Sequence, residues 1–179
     1  MFYAKVLYRM RGIDEVSHYV KSLSSPVHVM RAFGANIGAR TVVSPGIILH
    51  AAKDNYSNLV IGNDCRIGRE VLFDLTEKIT IEDTVNLAMR TIVLTHININ
   101  RSPIKDLGYE RKSAPVAFKM GAVTFAGAKV LMGVELAECS VLSAGCVMST
   151  NTKPYGVYVG NPGRHVKNLK GAEKTQADK

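Results

Sequence analysis

Residues 116–150 read VAFKMGAVTFAGAKVLMGVELAECSVLSAGCVMST, and their repeat is the strongest indication of the fold. An apolar or β-branched residue stands at every sixth position. Three residues later in the chain comes a glycine, except where Cys139 takes its place. A period of six fits neither an amphipathic helix nor an alternating strand. It fits a short strand followed by a tight turn, with three such units closing a triangular coil of about 18 residues. The ladder positions are Phe118, Thr124, Val130, Leu136, Leu142 and Met148.

The same period runs through the first half of the chain in three shorter sets. Stacked coils bring equivalent positions into register, so these residues are expected to form a dry internal column. We therefore predict a prism from about residue 35 to residue 150, interrupted by loops at 50–59 and 97–115. Long loops inside compact domains are often functional. The three sets are Ile37, Val43 and Leu49; Ile61, Ile67 and Phe73; and Ile81, Leu87 and Val93.

Composition limits the class of protein. The chain has 179 residues, of which 46% are apolar and 21% charged, and this favours one folded domain over a disordered chain. No stretch reaches the roughly 20 apolar residues of a membrane-spanning helix, and the basic N-terminal stretch does not resemble a signal peptide. Three cysteines without a CxxC pair favour a reducing, cytoplasmic location. The formal charge of +8 is compatible with nucleic acid, an anionic membrane or a phosphate-bearing cofactor.

Two basic segments flank the prism. Residues 1–30 are predicted to form one or two short basic helices. Their aromatic and basic side chains are suited to peripheral contact with an anionic membrane. Residues 31–160 form the predicted β domain, with 97–115 as a projecting loop. Residues 161–179 form a polar C-terminal tail that carries the second basic cluster.

The hexads, the loop that follows THIN (95–98) and the closing YVGNPGRHVK (158–167) resemble the hexapeptide-repeat acyltransferases. Within that family the galactoside, maltose and surface-polysaccharide O-acetyltransferases are the most similar. The resemblance implies an all-β fold, namely a left-handed parallel β-helix with a short helical N-terminal segment, a projecting loop and a short C-terminal tail.

The resemblance also implies an activity. It is that of an O-acetyltransferase that uses acetyl-CoA and no metal, with both substrates bound together and no covalent enzyme intermediate. The acceptor is expected to be a hydroxyl of a sugar, a sugar nucleotide or a lipid-linked sugar. A homotrimer is implied as well, because the cofactor groove lies between subunits and needs two walls.

The resemblance assigns the acceptor side of the site to four residues. His96 occupies the position of the family's general base, and an imidazole can take the proton of a sugar hydroxyl at neutral pH. Asp74 lies where the family places an acceptor-binding carboxylate, although an aspartate that caps a turn is an equal alternative. Glu70 stands near the position at which enzymes of the family often have an asparagine, and it is included among the acceptor contacts. Tyr109, in the projecting loop, is expected to shape the acceptor pocket.

The resemblance places the donor site along the C-terminal coils. Backbone groups of two turns are expected to contact the pantetheine arm, and basic residues after the GNP sequence are expected to face the phosphates. The family's Thr-Lys pair is here Ser149-Thr150, which lacks the lysine, so a lysine three residues on is expected to substitute. The residues expected to contact acetyl-CoA are Ala126, Gly127, Ser143, Ala144, Thr150, Lys153, Arg164 and Lys167.

Other functions remain as alternatives. A zinc enzyme similar to the γ-type carbonic anhydrases needs three converging histidines, whereas only His50 and His96 fall inside the prism. A non-catalytic β-helix scaffold explains the ladder but not a histidine at the entrance of the loop. A nucleic-acid-binding function is disfavoured, because the positive charges are scattered and no recognised motif is present. The remaining polar candidates are expected to be structural or solvent-facing: His18, His28, His50, His165 and, as small buried thiols, Cys65, Cys139 and Cys146.

Overall fold

The computed structural model describes residues 1–99 and 102–169, which form a left-handed parallel β-helix preceded by helices. The helices are α1 (Phe2–Ser22) and α2 (Val27–Ala32). The first three coils contain β1 (Asn36–Ile37), β2 (Val42–Val43), β3 (Ile48–His50), β4 (Leu59–Ile61), β5 (Arg66–Ile67), β6 (Leu72–Asp74), β7 (Ile79–Ile81), β8 (Asn86–Leu87) and β9 (Ile92–Val93). The remaining strands are β10 (His96–Ile97), β11 (Lys112–Ser113), β12 (Val116–Phe118), β13 (Val123–Thr124), β14 (Lys129–Val130), β15 (Glu135–Leu136), β16 (Val141–Leu142), β17 (Val147–Met148), β18 (Gly156–Val159) and β19 (Arg164–Asn168).

Each coil contributes one strand to each of three parallel sheets, as the period of six predicts. The first sheet has the order β1-β4-β7-β12-β15, and the third sheet has the order β3-β6-β9-β14-β17. The second sheet runs β2-β5-β8-β13-β16-β18 and ends with β19, which is antiparallel to β18. The predicted fold class is therefore confirmed.

The ladder residues form the core. Every one of them is buried, with at most 5% of its surface exposed. The polar member Thr124 is satisfied inside the column, because its Oγ1 lies 2.8 Å from Oγ1 of Thr91. The hexad pattern thus predicts the direction of each of these side chains.

Tight backbone turns separate the strands. The repeat glycines Gly121 and Gly145 have φ of 70° and 68°, in the left-handed region that favours glycine. Cys139, which replaces glycine in this column, has the same conformation with φ of 52°. A residue with a side chain pays roughly 1–2 kcal/mol for this conformation. Cys139 therefore keeps the turn geometry of the repeat at some cost in stability.

The extra residues between coils all lie at one corner of the prism. This corner, which we term the insertion corner, is where the chain leaves the third sheet and returns to the first. It contains residues 51–58, 75–78 and the long segment 94–115. In the last of these, β10 and β11 pair antiparallel at the base of the projecting loop, and a 3-10 helix covers Pro103–Leu107. These insertions interrupt the sequence period, but the strands on either side keep their parallel pairing.

The N-terminal helix is bent in the middle. Gly12 has φ 77° and ψ −168°, a conformation that is not helical and that is essentially restricted to glycine. The two halves of α1 fold back on each other, with the rings of Tyr3 and Tyr19 at 5.2 Å in an edge-to-face arrangement. The second half packs beside β3 at the edge of the third sheet. Within residues 1–99 and 102–169, none of the helices is both long and apolar enough to cross a membrane.

The C-terminal segment closes the last coil. A turn at 160–163 contains the cis peptide bond Asn161–Pro162, and the N–H of Gly163 donates to the carbonyl of Val147. Side-chain and backbone atoms of β17 lie so close to Gly163 that an added Cβ would overlap them. The tail that the sequence predicts therefore begins as an ordered strand, β19, because pairing with β18 satisfies its backbone. Its final part, residues 170–179, lies outside the described residues.

Candidate active site

The insertion corner brings together polar side chains from three coils. His50 ends β3 and is the parallel-register partner of Asp74, which ends β6. In the third coil the chain turns outward after β9, and the N–H groups of Thr95 and His96 donate to Oδ2 of Asp74 at 2.8 and 2.9 Å. A carboxylate in the second coil thus fixes the backbone that carries His96.

Asp74 is fully buried and fully hydrogen-bonded. Besides the two N–H groups on Oδ2, the hydroxyl of Thr76 donates to Oδ1 at 3.0 Å. Burial alone would raise the pKa of Asp74, but hydrogen bonds from Thr95, His96 and Thr76 outweigh it and lower the pKa below 3.8. Asp74 is therefore a buried carboxylate at neutral pH.

His96 points its Nδ1 atom inward, towards that carboxylate. Nδ1 lies 2.6 Å from Oδ2 of Asp74 and 2.8 Å from Oγ1 of Thr76. Because an ionised carboxylate only accepts hydrogen bonds, Nδ1 must carry the proton in the neutral ring, and Nε2 keeps its lone pair. The His96 side chain is 16% exposed. The arrangement holds one imidazole in one tautomer, at the base of the projecting loop.

His50 lies beside His96, which the sequence analysis does not predict. The two rings are nearly parallel, with centroids 6.3 Å apart and planes inclined by 18°. The repeat does contain a signal for this proximity. His50 and Asp74 each follow the third ladder residue of their coil, at Leu49 and Phe73.

A groove leads away from His50 along the third sheet. Its first part, about 360 Å³ in volume, lies between α1 and β3 and is lined by His18, Lys21 and His50 among others. Its second part, about 450 Å³, shares Lys21 and Ile48 with the first and extends to Glu70. The groove therefore runs from His50 to the far edge of the third sheet.

Glu70 lies at that far edge, and not beside His96. It sits at the corner between the second and third sheets, where its Oε2 accepts a hydrogen bond from Nε of Arg90 at 2.8 Å. That hydrogen bond and the charge of Arg90 lower the pKa of Glu70. Tyr109 is half exposed on the projecting loop. In the part of the chain that the structure describes, no hydrogen bond or ring contact joins the Tyr109 side chain to His96.

The predicted pantetheine turns stack on each other at the corner that Glu70 occupies. We term it the alanine corner after Ala126 and Ala144, whose coils are joined by a hydrogen bond from the N–H of Gly145 to the carbonyl of Ala126 at 2.9 Å. Both alanines are exposed. Among the described residues, their N–H groups have no acceptor. These two N–H groups are thus available to a ligand, while Gly127 and Ser143 donate to backbone carbonyls within the prism.

The remaining residues that are predicted to contact acetyl-CoA lie in three places. Arg164 begins β19 directly after the 160–163 turn, which continues the alanine corner past the last coil. Lys167 pairs with Val157 further along the second sheet. Thr150 follows β17 at the insertion corner, and Lys153 lies beyond it, where its backbone N–H donates to the hydroxyl of Tyr158 at 2.7 Å. All four are exposed.

Within residues 1–99 and 102–169, no group of three or more His, Cys, Asp or Glu side chains is arranged to hold a metal ion.

Comparison with known proteins identifies the fold. No protein-family model matches the sequence, and no curated protein matches it significantly. Solved structures match it closely in shape. A hexapeptide-repeat acetyltransferase from Vibrio cholerae is 18% identical with a TM-score of 0.76, covering 94% of this chain and 93% of that one. A structure of the same acetyltransferase complexed with acetyl-CoA, from Vibrio cholerae O1 biovar eltor, has a TM-score of 0.74 at 18% identity, covering 86% and 83%.

Two further solved structures are of acyltransferases with different activities. A maltose O-acetyltransferase from Clostridium difficile 630 is 21% identical with a TM-score of 0.68, covering 94% of this chain and 86% of that one. A mutant of AntD, an N-acyltransferase from Bacillus cereus in complex with dTDP and coenzyme A, is 19% identical with a TM-score of 0.67, covering 88% and 96%. The chain therefore has the fold of the hexapeptide-repeat acetyltransferases. At this level of identity the likeness defines the fold, and activity is argued from the site.

Proposed function

We propose that the protein is an acetyl-CoA-dependent O-acetyltransferase that acetylates a hydroxyl of a sugar or polysaccharide precursor. The observation that carries this proposal is the buried Asp74 carboxylate behind His96, at the base of the projecting loop. A β-helix that serves only as a scaffold has no need of a buried ionised carboxylate aimed at an imidazole. Structures of this fold with acetyl-CoA or coenzyme A bound support the choice of donor.

His96 acts as the general base in this proposal. Its Nε2 takes the proton from the acceptor hydroxyl as the hydroxyl oxygen attacks the carbonyl carbon of the thioester. The C–S bond then breaks, and the imidazolium returns the proton to the departing sulfur. Both substrates are bound together, so no acetyl group is carried by the enzyme.

Asp74 is a positioning residue in this mechanism and does not touch the acceptor. Its oxygens are enclosed by Thr76, Thr95 and His96, so they hold the ring and stabilise the imidazolium that forms. This role replaces the acceptor contact that the sequence analysis predicts for Asp74, because a carboxylate without exposed surface cannot reach a ligand.

The acceptor is expected to enter along the groove that ends at His50. His50 lines the groove and lies against His96, so a sugar seated there presents a hydroxyl beside the base. Glu70 and Lys21 offer polar contacts further along the same groove. Tyr109 contributes to the acceptor site from the loop, through contacts that form when the acceptor binds or when subunits assemble.

The donor is expected to bind at the alanine corner. The N–H groups of Ala126 and Ala144 face solvent and suit the amide carbonyls of pantetheine, whose arm would also contact Gly127 and Ser143. Arg164 follows at the end of this corner, where a guanidinium can pair with phosphate. Lys167 adds positive charge further along the second sheet, whereas Lys153, on the insertion-corner side, would reach a donor only across a subunit interface.

A homotrimer would unite the donor and acceptor halves. The alanine corner and the insertion corner are opposite edges of the third sheet, and the five residue steps from Ala144 to Ser149 span roughly 16 Å at the rise of a strand. If the alanine corner of one subunit meets the insertion corner of the next, the thioester can reach His96 without crossing the sheet. Thr150, at the insertion corner, would then face the neighbour's donor site. Within the described residues Cys65, Cys139 and Cys146 form no disulfide, which favours a cytoplasmic location.

The proposal is tested by measuring acetyl transfer from acetyl-CoA to a panel of sugars, sugar nucleotides and lipid-linked sugars. The panel includes amino sugars, so that an ester product is distinguished from an amide. With an active acceptor, His96→Ala is expected to lower kcat about 10²–10⁴-fold. His28→Ala, an exposed histidine on α2, is the matched control and should retain the wild-type rate. An unchanged rate in His96→Ala, or no transfer to any acceptor, would overturn the proposal.

A further inference from the structure

The first half of α1 carries an apolar stripe that faces away from the protein. Phe2, Val6 and Met10 are spaced at i, i+4 and i+8, so they lie on one side of the helix. Phe2 is 84% exposed and Met10 is 73% exposed, while Val6 is half-buried between them. These are among the most exposed apolar side chains of the described residues.

The opposite side of the same helix holds it in place. Ala4 is fully buried, and Leu7 packs against the core. The ring of Tyr8 lies 5.4 Å from that of Phe33 at the end of α2. The helix is therefore anchored without using the stripe, and its orientation keeps the stripe in solvent.

Positive charge lies beside the stripe. Lys5 and Arg9 are exposed and four residues apart, and at 100° per residue their row adjoins that of Phe2, Val6 and Met10. No acidic residue occurs before Asp14, so neither side chain has a local counter-charge. A short helix with bulky apolar residues next to lysine and arginine is the arrangement of helices that lie in the interface of an anionic membrane.

We propose that the first half of α1 docks on an anionic phospholipid bilayer. Phe2 and Met10 enter the boundary between headgroups and acyl chains, and Lys5 and Arg9 contact lipid phosphates. The charge complementarity selects an anionic bilayer over a neutral one. The bend at Gly12 separates this surface from the second half of α1, which borders the groove beside His50.

Sedimentation of the full chain with lipid vesicles tests the proposal. Vesicles that contain phosphatidylglycerol are expected to pellet the protein, vesicles of phosphatidylcholine alone are not, and high salt is expected to weaken the interaction. Each basic residue near an anionic surface contributes about fivefold in affinity, so Lys5→Glu with Arg9→Glu should weaken binding by more than about tenfold. Phe2→Ser with Met10→Ser should weaken it even at low salt.

Matched controls separate this surface from general effects of charge and hydrophobicity. Leu107→Ser removes an apolar side chain that is 84% exposed on the projecting loop, and Arg66→Glu reverses an exposed charge on the second sheet. Both should bind vesicles as the wild type does. Circular dichroism and thermal melts establish that each variant is folded.

Two results would overturn the proposal. The first is wild-type protein that stays in solution with anionic vesicles, or stripe variants that bind as tightly as wild type. The second is stripe variants that lower the molar mass in light scattering, because the stripe would then be covered by a second copy of the chain. No acetyl-CoA or acceptor is present in these experiments, so their failure would not bear on the proposed acetyltransferase activity.

Discussion

The carboxylate of Asp74 lies 2.6 Å from Nδ1 of His96 and has no exposed surface of its own. The two residues come from different coils, and the link between them fixes both the backbone and the ring of His96. If His96 is the base, as we propose, it starts each turnover in the productive tautomer, which reduces the rearrangement needed for proton transfer.

Asp74→Asn is expected to lower kcat about 10²–10⁴-fold while leaving the KM for acetyl-CoA within about twofold. Two backbone N–H groups and Nδ1–H of His96 donate to Oδ2 of Asp74. An asparagine amide N–H group at either oxygen position replaces an acceptor with a donor, so the ring loses its orientation. Steady-state kinetics with both substrates varied gives the two constants. Asp64→Asn, which alters an exposed carboxylate paired with Arg40, is the control.

The same pair predicts strong non-additivity. Once His96 is alanine, Asp74 has no ring to orient, so the double variant should be about as slow as His96→Ala alone. If the two losses multiplied instead, Asp74 would act independently of His96 and the positioning role would be wrong.

Acid should expose the stability contribution of Asp74. Its pKa is lowered in the folded protein from 3.8, so the ionised carboxylate stabilises the fold above that pH. As the pH falls below 3.8, the unfolded chain takes up the proton first, and this contribution is lost on passing through the folded pKa. The difference in Tm between wild type and Asp74→Asn should therefore narrow between about pH 6 and about pH 3. A constant difference in thermal melts would show that the charge of Asp74 does not stabilise the fold.

Two phenylalanines test the ladder. Phe118 is a fully buried ladder residue, so Phe118→Ala should reduce the free energy of unfolding by about 3–5 kcal/mol through the lost contacts and the cavity left behind. Phe2→Ala removes the same side chain from an exposed position and should change it by about 0.5 kcal/mol or less. Chemical denaturation measures both. Equal losses would be incompatible with a core built on the hexad positions.

Arg164→Ala should raise the KM for acetyl-CoA more than the KM for the acceptor. Loss of one charge-assisted hydrogen bond to phosphate corresponds to about 1.5–3 kcal/mol, or roughly tenfold to a hundredfold in binding. Arg66→Ala, an exposed arginine of the second sheet, should leave both constants unchanged. A change confined to the acceptor constant would move Arg164 to the acceptor site.

The sequence predicts the prism well because each hexad carries its own evidence. The residues six positions before and after Leu142 are enough to predict that its side chain points into the prism. The structure shows it buried there. The start of the projecting loop, at His96, is found in the same way, since the ladder stops there.

The candidate site is predicted less completely, because its geometry depends on contacts across coils. His50 and His96 are separated by two insertions, and only the register of β3 on β6 and β6 on β9 shows that they meet. The burial of Asp74 likewise depends on the outward path of Thr95 and His96 in the next coil. The sequence assigns a role to a turn residue such as Glu70 from its position alone. The direction of its side chain depends on Arg90, which is on the next turn and donates a hydrogen bond to it.

The insertion corner separates the part of the chain that carries the repeat from the part that surrounds the imidazole pair. Segments 51–58, 75–78 and 94–115 vary in length while the strands on either side keep their pairing. Exchanging residues 51–58 and the part of the projecting loop beyond β10 for those of another β-helix protein, with Thr76, Thr95 and His96 retained, should therefore leave the scaffold and the proposed base intact and alter only what is recognised. A single prism of this kind can host a library of grafted loops, and selection of such a library for new acceptors would need no redesign of the core.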